Sequence, residues 1–170
     1  MKKVIVVQSS LREKSNTAIL CETLELKLTE KNIPNSGLDL RNMELQFCNG
    51  ASLESYNSDM QSAYQQMSEA DIIIFGMPVY QYSMSGVLKN FIDVCGGALA
   101  GKQIGVLVNA GGPNGYMASR DLLDCLYYEY ATINISPTPY AWSMDFVDGA
   151  IANKKVLEKI DELVEVIAKK

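Results

Sequence analysis

The sequence predicts an α/β fold in which a parallel sheet is covered by helices on both faces. Short apolar runs, among them VIVV at 4–7 and DIIIFG at 71–76, are typical of strands that are buried on both sides. Stretches of helical period separate these runs, and such alternation gives a parallel sheet with right-handed crossovers. No linker, repeat or low-complexity run divides the chain, so residues 1–170 are expected to form a single domain.

Taken in order, the elements alternate between strand and helix. The apolar runs predict five strands, at 4–7, 38–40, 71–76, 104–110 and 132–140. Helical periods, such as Leu20, Leu24 and Leu28 at every fourth position, predict five helices, at 16–31, 55–69, 86–96, 116–130 and 153–169. This pattern suits a flavodoxin-like three-layer sandwich with a five-stranded parallel sheet of order 2-1-3-4-5. A minimal Rossmann half is the structural alternative.

Composition argues against several classes of function. The net charge of −5 and the pI near 4.8 would repel nucleic acid and anionic membranes. No apolar run approaches the ~20 residues of a transmembrane helix, so a cytoplasmic protein is expected. The four cysteines lack metal-binding or redox spacing and are interpreted as reduced structural thiols, with no metal site. Because the chain has no histidine, a carboxylate, a lysine or a cofactor must carry any chemistry.

The strand order also predicts where a ligand binds. On such sheets, ligands bind beyond the carboxyl ends of the strands, at the switch point between the first and third strands. The loops of interest are therefore those that follow 4–7, 71–76 and 104–110. They are also the three most distinctive loops in the sequence.

The first loop, QSSLREKSNTA, carries residue types that bind phosphate just before a predicted helix. Its hydroxyl, amide and guanidinium donors are Ser9, Ser10, Arg12, Ser15, Asn16 and Thr17. A plain helix start, capped by Ser15 or Asn16, accounts for these residues equally well. Residues 8–15 contain no glycine, whereas loops that bind dinucleotides or triphosphates need glycine for close backbone contact. The loop therefore favours a ligand that ends in a single phosphate.

The second loop, GMPVYQYSMSG, places aromatic surface at the sheet edge. Pro78 stiffens the exit from the strand, and Tyr80 and Tyr82 follow it. Ser83 or Ser85 can cap the next helix. Two tyrosines beside a predicted crevice favour a planar ligand, and a capped turn with locally packed tyrosines is the alternative.

The third loop, NAGGPNGY, is rich in glycine. Gly111, Gly112 and Gly115 allow the backbone to approach a ligand and to present N–H groups to it. A flexible turn explains this segment nearly as well when it is considered alone. Together, one loop suits a monophosphate and two suit a flat ring that forms hydrogen bonds, which is the shape of FMN.

Three segments resemble a known family. SSLREKSNTAIL and PVYQYSMSGVLKNFID are similar to the first loop and to the segment after strand three of the NADPH-dependent FMN reductase family. DLRNMELQFCNG, 39–50, is also similar to the family's segment after strand two. The resemblance implies that the FMN phosphate is held by Ser10, Arg12, Ser15, Asn16 and Thr17. It implies that the ring and ribityl chain are lined by Pro78, Val79, Tyr80, Gln81, Tyr82 and Ser83, with Gly111 and Gly112 at the ring's other edge. The predicted cofactor-binding set is completed by Ser9, which stands where the family usually has glycine, and Asn109.

The resemblance also implies a flavoprotein oxidoreductase. NADPH or NADH passes hydride to FMN, which then reduces a small acceptor, such as a quinone, a flavin, an azo or nitro compound or a metal oxyanion. Because the sequence shows no second domain for the dinucleotide, donor and acceptor are expected to share the flavin pocket, which gives a ping-pong mechanism. Lys14 is near enough to suggest a contact to the 2′-phosphate of NADPH, but a solvated lysine is the preferred interpretation. Family members are usually homodimers or homotetramers, and helix 86–96 and Trp142 are candidates for an interface or for buried core. A flavodoxin-type electron carrier and a cofactor-free interaction module are the competing functions.

Overall fold

The structure, a computed structural model, describes residues 2–170 and confirms the predicted layered α/β fold. The α-helices are α1 Asn16–Glu30, α2 Ser58–Glu69, α3 Gly86–Cys95, α4 Ser119–Tyr130 and α5 Lys154–Ala168. The strands are β1 Val4–Gln8, β2 Asn35–Asp39, β3 Ile72–Tyr80, β4 Ser83–Met84, β5 Gln103–Ala110, β6 Ile133–Asn134, β7 Tyr140–Trp142, β8 Phe146–Val147 and β9 Ala150–Ile151. Across residues 2–170, none of the helices has the length and apolar character needed to cross a bilayer.

The main sheet follows the order β2-β1-β3-β5, with β6 and β7 both beside β5. These neighbours are parallel, so the order corresponds to the predicted 2-1-3-4-5. The fifth strand, predicted as continuous over 132–140, is in two pieces: β6 pairs with the beginning of β5, and β7 pairs with its end. Pro137 and Pro139 lie between the pieces, and neither has an N–H group to donate to the sheet.

Alternate residues along the central strands enter two apolar cores. Ile5 and Val7 of β1 pack on the face that is covered by α2, α3 and α4. Val4 and Val6 pack on the opposite face with α1 and α5. All four side chains are fully buried, as expected for a strand covered on both sides.

Two strand boundaries differ from the sequence prediction. β2 occupies Asn35–Asp39 and not 38–40, because its polar first residues pair with β1 at the edge of the sheet. β3 continues to Tyr80, where the sequence suggested that the strand ends at residue 76. Tyr80 then pairs with Ser83 in an antiparallel hairpin with β4. The segment expected to be a turn into α3 is therefore an extension of the central strand.

Two short hairpins lie outside the sequence prediction, and both have two-residue turns. In the β3–β4 hairpin the turn residues are Gln81 and Tyr82, with φ of 51° and 60°. In the β8–β9 hairpin they are Asp148 and Gly149, with φ of 50° and 77°. All four residues are left-handed, which is the conformation that type I′ turns require.

Candidate functional site

The carboxyl ends of β1, β3 and β5 lie at one edge of the sheet, since the three strands are parallel neighbours. A cleft of about 370 Å³ opens there, within the ~300–1,000 Å³ that is usual for ligand sites. It is lined by residues of the three loop segments and by one residue that follows β7: Ser10, Arg12, Lys14, Ser15, Asn16, Thr17, Pro78, Val79, Tyr80, Asn109, Ala110, Gly111 and Ser143. The structure thus brings most of the predicted binding residues together.

The N-terminus of α1 forms one end of this cleft. Ser15 is the N-cap, and its Oγ accepts a hydrogen bond from the N–H of Ala18 at 3.1 Å. The first helical bond runs from the N–H of Ile19 to the carbonyl of Ser15, so the N–H groups of Asn16 and Thr17 have no partner inside the helix. The first turn has no acidic residue. This end of the cleft is therefore electropositive and rich in donors.

Arg12 and Lys14 add two positive charges to the same end. Within residues 2–170, neither side chain has an ion-pair partner. The backbone N–H of Arg12 donates to the Oγ of Ser10 at 3.4 Å, which leaves the Ser10 hydroxyl proton for another acceptor. An anionic group at this end would meet no competing carboxylate from the lining.

Ser9 lies behind the cleft and not in its lining. The side chain is fully buried, and its Oγ donates to the carbonyl of Gly76 at 2.7 Å. Its backbone N–H donates to the same carbonyl at 3.2 Å. Ser9 therefore joins the ends of β1 and β3, and its hydroxyl proton is already used.

A second cavity, of about 300 Å³, continues from the first across the strand ends. It shares Val79, Ala110 and Gly111 with the cleft, and its other lining residues are Gln81, Tyr82, Gly112, Pro113, Asn114 and Gly115. The two cavities are therefore adjacent, and together they make up a recess that extends from the N-terminus of α1 to Tyr82. After the groups that the sequence predicts to bind there, we call the α1 side the phosphate end and the Tyr82 side the ring end.

The ring end combines open backbone with aromatic surface. A Cβ added at Gly111 or Gly112 would meet no atom within 4 Å, so this backbone faces open space. Tyr80 and Tyr82 are 48% and 72% exposed. Ser83 lines neither cavity, because it pairs with Tyr80 in the hairpin.

Tyr140 of β7 and Ser143, which follows β7, hold the third loop in place. The hydroxyl of Tyr140 accepts the N–H of Gly115 at 3.1 Å and donates to the carbonyl of Gly112. Ser143 donates through Oγ to the carbonyl of Gly111 at 2.8 Å. Partial burial is the main cause that raises the pKa of Tyr140, so the phenol stays protonated and can donate. The glycine-rich loop is therefore fixed at three of its residues.

Sequence reasoning did not select Lys14, Tyr140 or Ser143. The position of Tyr140 and Ser143 was nevertheless predictable, because Tyr140 ends the predicted fifth strand, 132–140, and Ser143 follows it, so that both are expected at the same edge of the sheet. The sequence also left two capping choices open. The structure assigns the cap of α1 to Ser15 and the cap of α3 to Ser85, whose Oγ accepts the N–H of Leu88 at 3.2 Å.

A family model described as NADPH-dependent FMN reductase matches residues 2–145. An NAD(P)H-dependent FAD/FMN reductase of Geobacillus thermodenitrificans is 27% identical over 164 residues, which are 95% of this chain and 82% of that protein. An FMN-dependent NADPH-azoreductase of Staphylococcus saprophyticus is 31% identical over 117 residues, which are 66% of this chain and 62% of that protein.

Solved structures share the fold. The chain superimposes on FerB, a flavoenzyme NAD(P)H:(acceptor) oxidoreductase from Paracoccus denitrificans, with a TM-score of 0.77 and 22% identity, over 99% of this chain and 98% of that one. The apo form of an NADH:FMN oxidoreductase gives a TM-score of 0.76 and 19% identity, over 97% of this chain and 89% of that one. At such identities the likeness establishes the three-layer architecture.

Proposed function

Because this chain belongs to the NADPH-dependent FMN reductase family, we propose that it is an FMN-dependent NAD(P)H oxidoreductase that reduces a small acceptor. One observation carries the proposal. Two adjacent cavities with shared lining residues extend from a helix N-terminus, flanked by Arg12 and Lys14, to an open glycine backbone beside exposed tyrosines. Among residues 2–170, no carboxylate lines either part of that recess.

The phosphate end fits the terminal phosphate of FMN. The N–H groups of Asn16 and Thr17, the hydroxyl of Ser10 and the charge of Arg12 would all donate to a dianion. A bridging pyrophosphate would need backbone packed flush against it, and residues 8–15 offer no glycine for that contact. The donor set therefore suits a single terminal phosphate.

The ring end fits a planar heterocycle. Pro78 and Val79 form the floor where β3 leaves the sheet, and Tyr80 and Tyr82 offer aromatic faces. The uncovered backbone at Gly111 would supply N–H donors to negative charge on the ring. When bound, FMN supplies the hydride chemistry, and the protein supplies position and field.

The lining of the two cavities also supports hydride transfer without a general acid or base from the protein. Neither cavity contains a histidine or a carboxylate among residues 2–170. As a single FMN-binding domain, the chain would place donor and acceptor in one recess in turn, which gives ping-pong kinetics. The acceptor classes remain those that the sequence predicts, namely quinones, flavins, azo or nitro compounds and metal oxyanions.

An anaerobic absorption spectrum tests the proposal. FMN-reconstituted protein should be yellow and should bleach when NADPH or NADH is added without oxygen. A protein that stays yellow with either donor would be an electron carrier and not a reductase. A protein that takes up no FMN would overturn the proposal.

We also propose that the protein forms a homodimer through the face between α3 and α4. An apolar groove lies there, lined by residues that include Met84, Ile92 and Leu122. Tyr127 and Tyr128 also line it and are 65% and 90% exposed, an unusual position for two large aromatic residues on one turn. Light scattering should give twice the chain mass of 18.7 kDa, and Tyr128→Lys should lower it. A monomeric wild-type protein would contradict this proposal.

A cytoplasmic location stays a prediction. It agrees with the four cysteines, all of which are free, since disulfides are rare in reducing compartments.

A further inference from the structure

Arg41 and Asp39 form a fixed ion pair just behind the phosphate end. Nε of Arg41 lies 3.0 Å from both carboxylate oxygens of Asp39, and Nη2 lies 2.5 Å from Oδ2. The backbone N–H of Arg41 also donates to Oδ1 at 2.9 Å. The two side chains are only 28% and 24% exposed. The guanidinium is therefore held in one orientation, although Arg41 itself does not line the cleft.

The free arm of this guanidinium reaches the backbone of the phosphate loop. Nη1 of Arg41 donates to the carbonyl of Glu13 at 3.2 Å and to that of Arg12 at 3.5 Å. These residues are separated from Arg41 by 28 and 29 positions in the chain. Arg41 thus ties the middle of the loop to the end of β2.

Gln8 ties the start of the same loop to the same carboxylate. Its Nε2 donates to Oδ1 of Asp39 at 2.9 Å and to the carbonyl of Ser10 at 3.0 Å. Its Oε1 accepts the N–H of Ser10. Gln8 is 4% exposed, so these bonds compete little with water. Asp39 is therefore the common anchor of two contacts to the loop backbone.

The direction of these contacts determines where the loop's N–H groups point. In a trans peptide the carbonyl and the following N–H lie on opposite sides of the chain. A carbonyl of Glu13 that faces Arg41 therefore turns the N–H of Lys14 away from Arg41, and Lys14 lines the cleft. Glycine-rich phosphate loops obtain such orientations through backbone freedom. Here a forked side chain holds the carbonyls instead.

The pair also controls charge beside the cleft. Partial burial would raise the pKa of Asp39, but hydrogen bonds from Arg41 and Gln8 outweigh this and lower the pKa below its ordinary value. Asp39 is thus a carboxylate near neutral pH, and Arg41 neutralises it. Any test must separate this charge effect from the effect on loop geometry.

From this geometry we propose that Arg41 is a positioning residue, which sets the affinity for a terminal phosphate by holding the carbonyls of residues 12 and 13 from behind. The inference rests on the proposed FMN site and deepens it. It assigns phosphate recognition in part to a side chain that does not touch the ligand. A lysine at this position would keep the charge but could not form the fork to Asp39 and reach both carbonyls.

The test compares FMN with riboflavin, which lacks the phosphate. Dissociation constants of both ligands are measured by fluorescence titration of the flavin-free, full-length wild type, Arg41→Lys and Arg41→Ala. Both variants should bind FMN about tenfold or more weakly, while riboflavin affinity changes less than about twofold. Arg120→Ala is the matched control, since Arg120 pairs with Asp124 on α4 and both are 70% exposed. That variant should bind both ligands as the wild type does.

Several other outcomes would count against the proposal. If Arg41→Lys binds FMN as tightly as the wild type and only Arg41→Ala binds it more weakly, the positive charge of Arg41 matters and its positioning of the carbonyls does not. Equal losses for FMN and riboflavin would show general loosening of the fold. If Arg41→Ala does not fold, Arg41→Lys alone decides. A wild type that binds riboflavin and FMN equally would overturn this inference alone, whereas one that binds neither would overturn the proposed function as well.

Discussion

Two hairpins of the molecule share one backbone geometry but differ in sequence. Both have two-residue turns with two left-handed residues, at Gln81–Tyr82 and at Asp148–Gly149. Asp-Gly is a favoured pair for such a turn, whereas glutamine and tyrosine adopt this conformation at a cost of about 1–2 kcal/mol per residue. The unfavourable pair lines the ring end of the recess, and the favourable pair lies elsewhere. Backbone strain is thus found beside the candidate site, where side chains are selected for what they contact.

The largest effect is expected at the phosphate end, which neither turn forms. Arg12→Ala should weaken FMN binding by about 1.5–3 kcal/mol, roughly tenfold or more, because a charge-assisted phosphate contact is lost. Fluorescence titration measures the change, and the affinity for riboflavin should stay the same. Unchanged FMN affinity would remove Arg12 from the phosphate site. The free-energy change in Arg12→Ala is the reference with which the smaller changes in the two turn variants are compared.

Gly149→Tyr places a tyrosine at the second position of the favourable turn, where Tyr82 lies in the other. It should lower the free energy of unfolding by about 0.5–1 kcal/mol in urea denaturation, because the left-handed conformation costs a tyrosine about 1–2 kcal/mol while removal of the glycine recovers about 0.5–1 kcal/mol of chain entropy. A Cβ at Gly149 would meet no atom within 4 Å, so the cost is conformational and not steric. A neutral result would mean that a left-handed tyrosine carries little strain in this protein.

The reciprocal change, Tyr82→Gly, should raise the free energy of unfolding by about 0.5–1 kcal/mol, since relief of strain exceeds the added entropy of glycine. The gain should be smaller than the loss in Gly149→Tyr if the Tyr82 ring also packs on its surroundings. FMN and riboflavin affinity should fall together, because the change affects the ring end. A stabilised variant with wild-type affinity for both would separate the strain from binding.

The smallest effect concerns pH and distinguishes conformational strain from ion pairing. The pKa of Asp39 is lower in the folded state than its ordinary value of 3.8. The ion pair therefore stabilises the fold fully at pH values above 3.8, and this stabilisation is lost as the pH falls through the folded-state pKa. The difference in unfolding free energy between wild type and Asp39→Asn should shrink below about pH 4. The cost of Gly149→Tyr should stay constant over the same range, and a parallel decline of both would contradict this assignment.

The buried strands could be predicted because their apolar runs reflect burial on both faces of the sheet. The split fifth strand and the first part of the β3 extension could not, since pairing of Ile133–Asn134 and of residues 77–78 depends on partners far away in the chain. The hairpin at Gln81–Tyr82 has near partners but could not be predicted for another reason. Its residues oppose the turn geometry, so no local signal indicates a hairpin.

The candidate site followed from topology more than from motifs. Parallel strand order alone predicts that three loops meet at one edge, and the recess lies there. Residue roles were harder to predict, because a serine can face the cleft or the sheet. Ser9 and Ser10 are neighbours, yet Ser9 bonds to Gly76 while Ser10 lines the cleft. Arg41 lies in the segment DLRNMELQFCNG, which resembles the family, but its contacts to the loop backbone depend on the fold and could not be predicted from the sequence.

The absence of glycine from residues 8–15 has a consequence for the unfolded chain. Glycine loses more conformational freedom on folding than other residues, by roughly 0.5–1 kcal/mol relative to alanine. A loop of non-glycine residues samples fewer conformations before folding and loses less entropy when it is ordered. The contacts of Arg41 and Gln8 order the loop further. The phosphate end is therefore already ordered when the chain has folded, and little conformational entropy is lost there when a ligand binds.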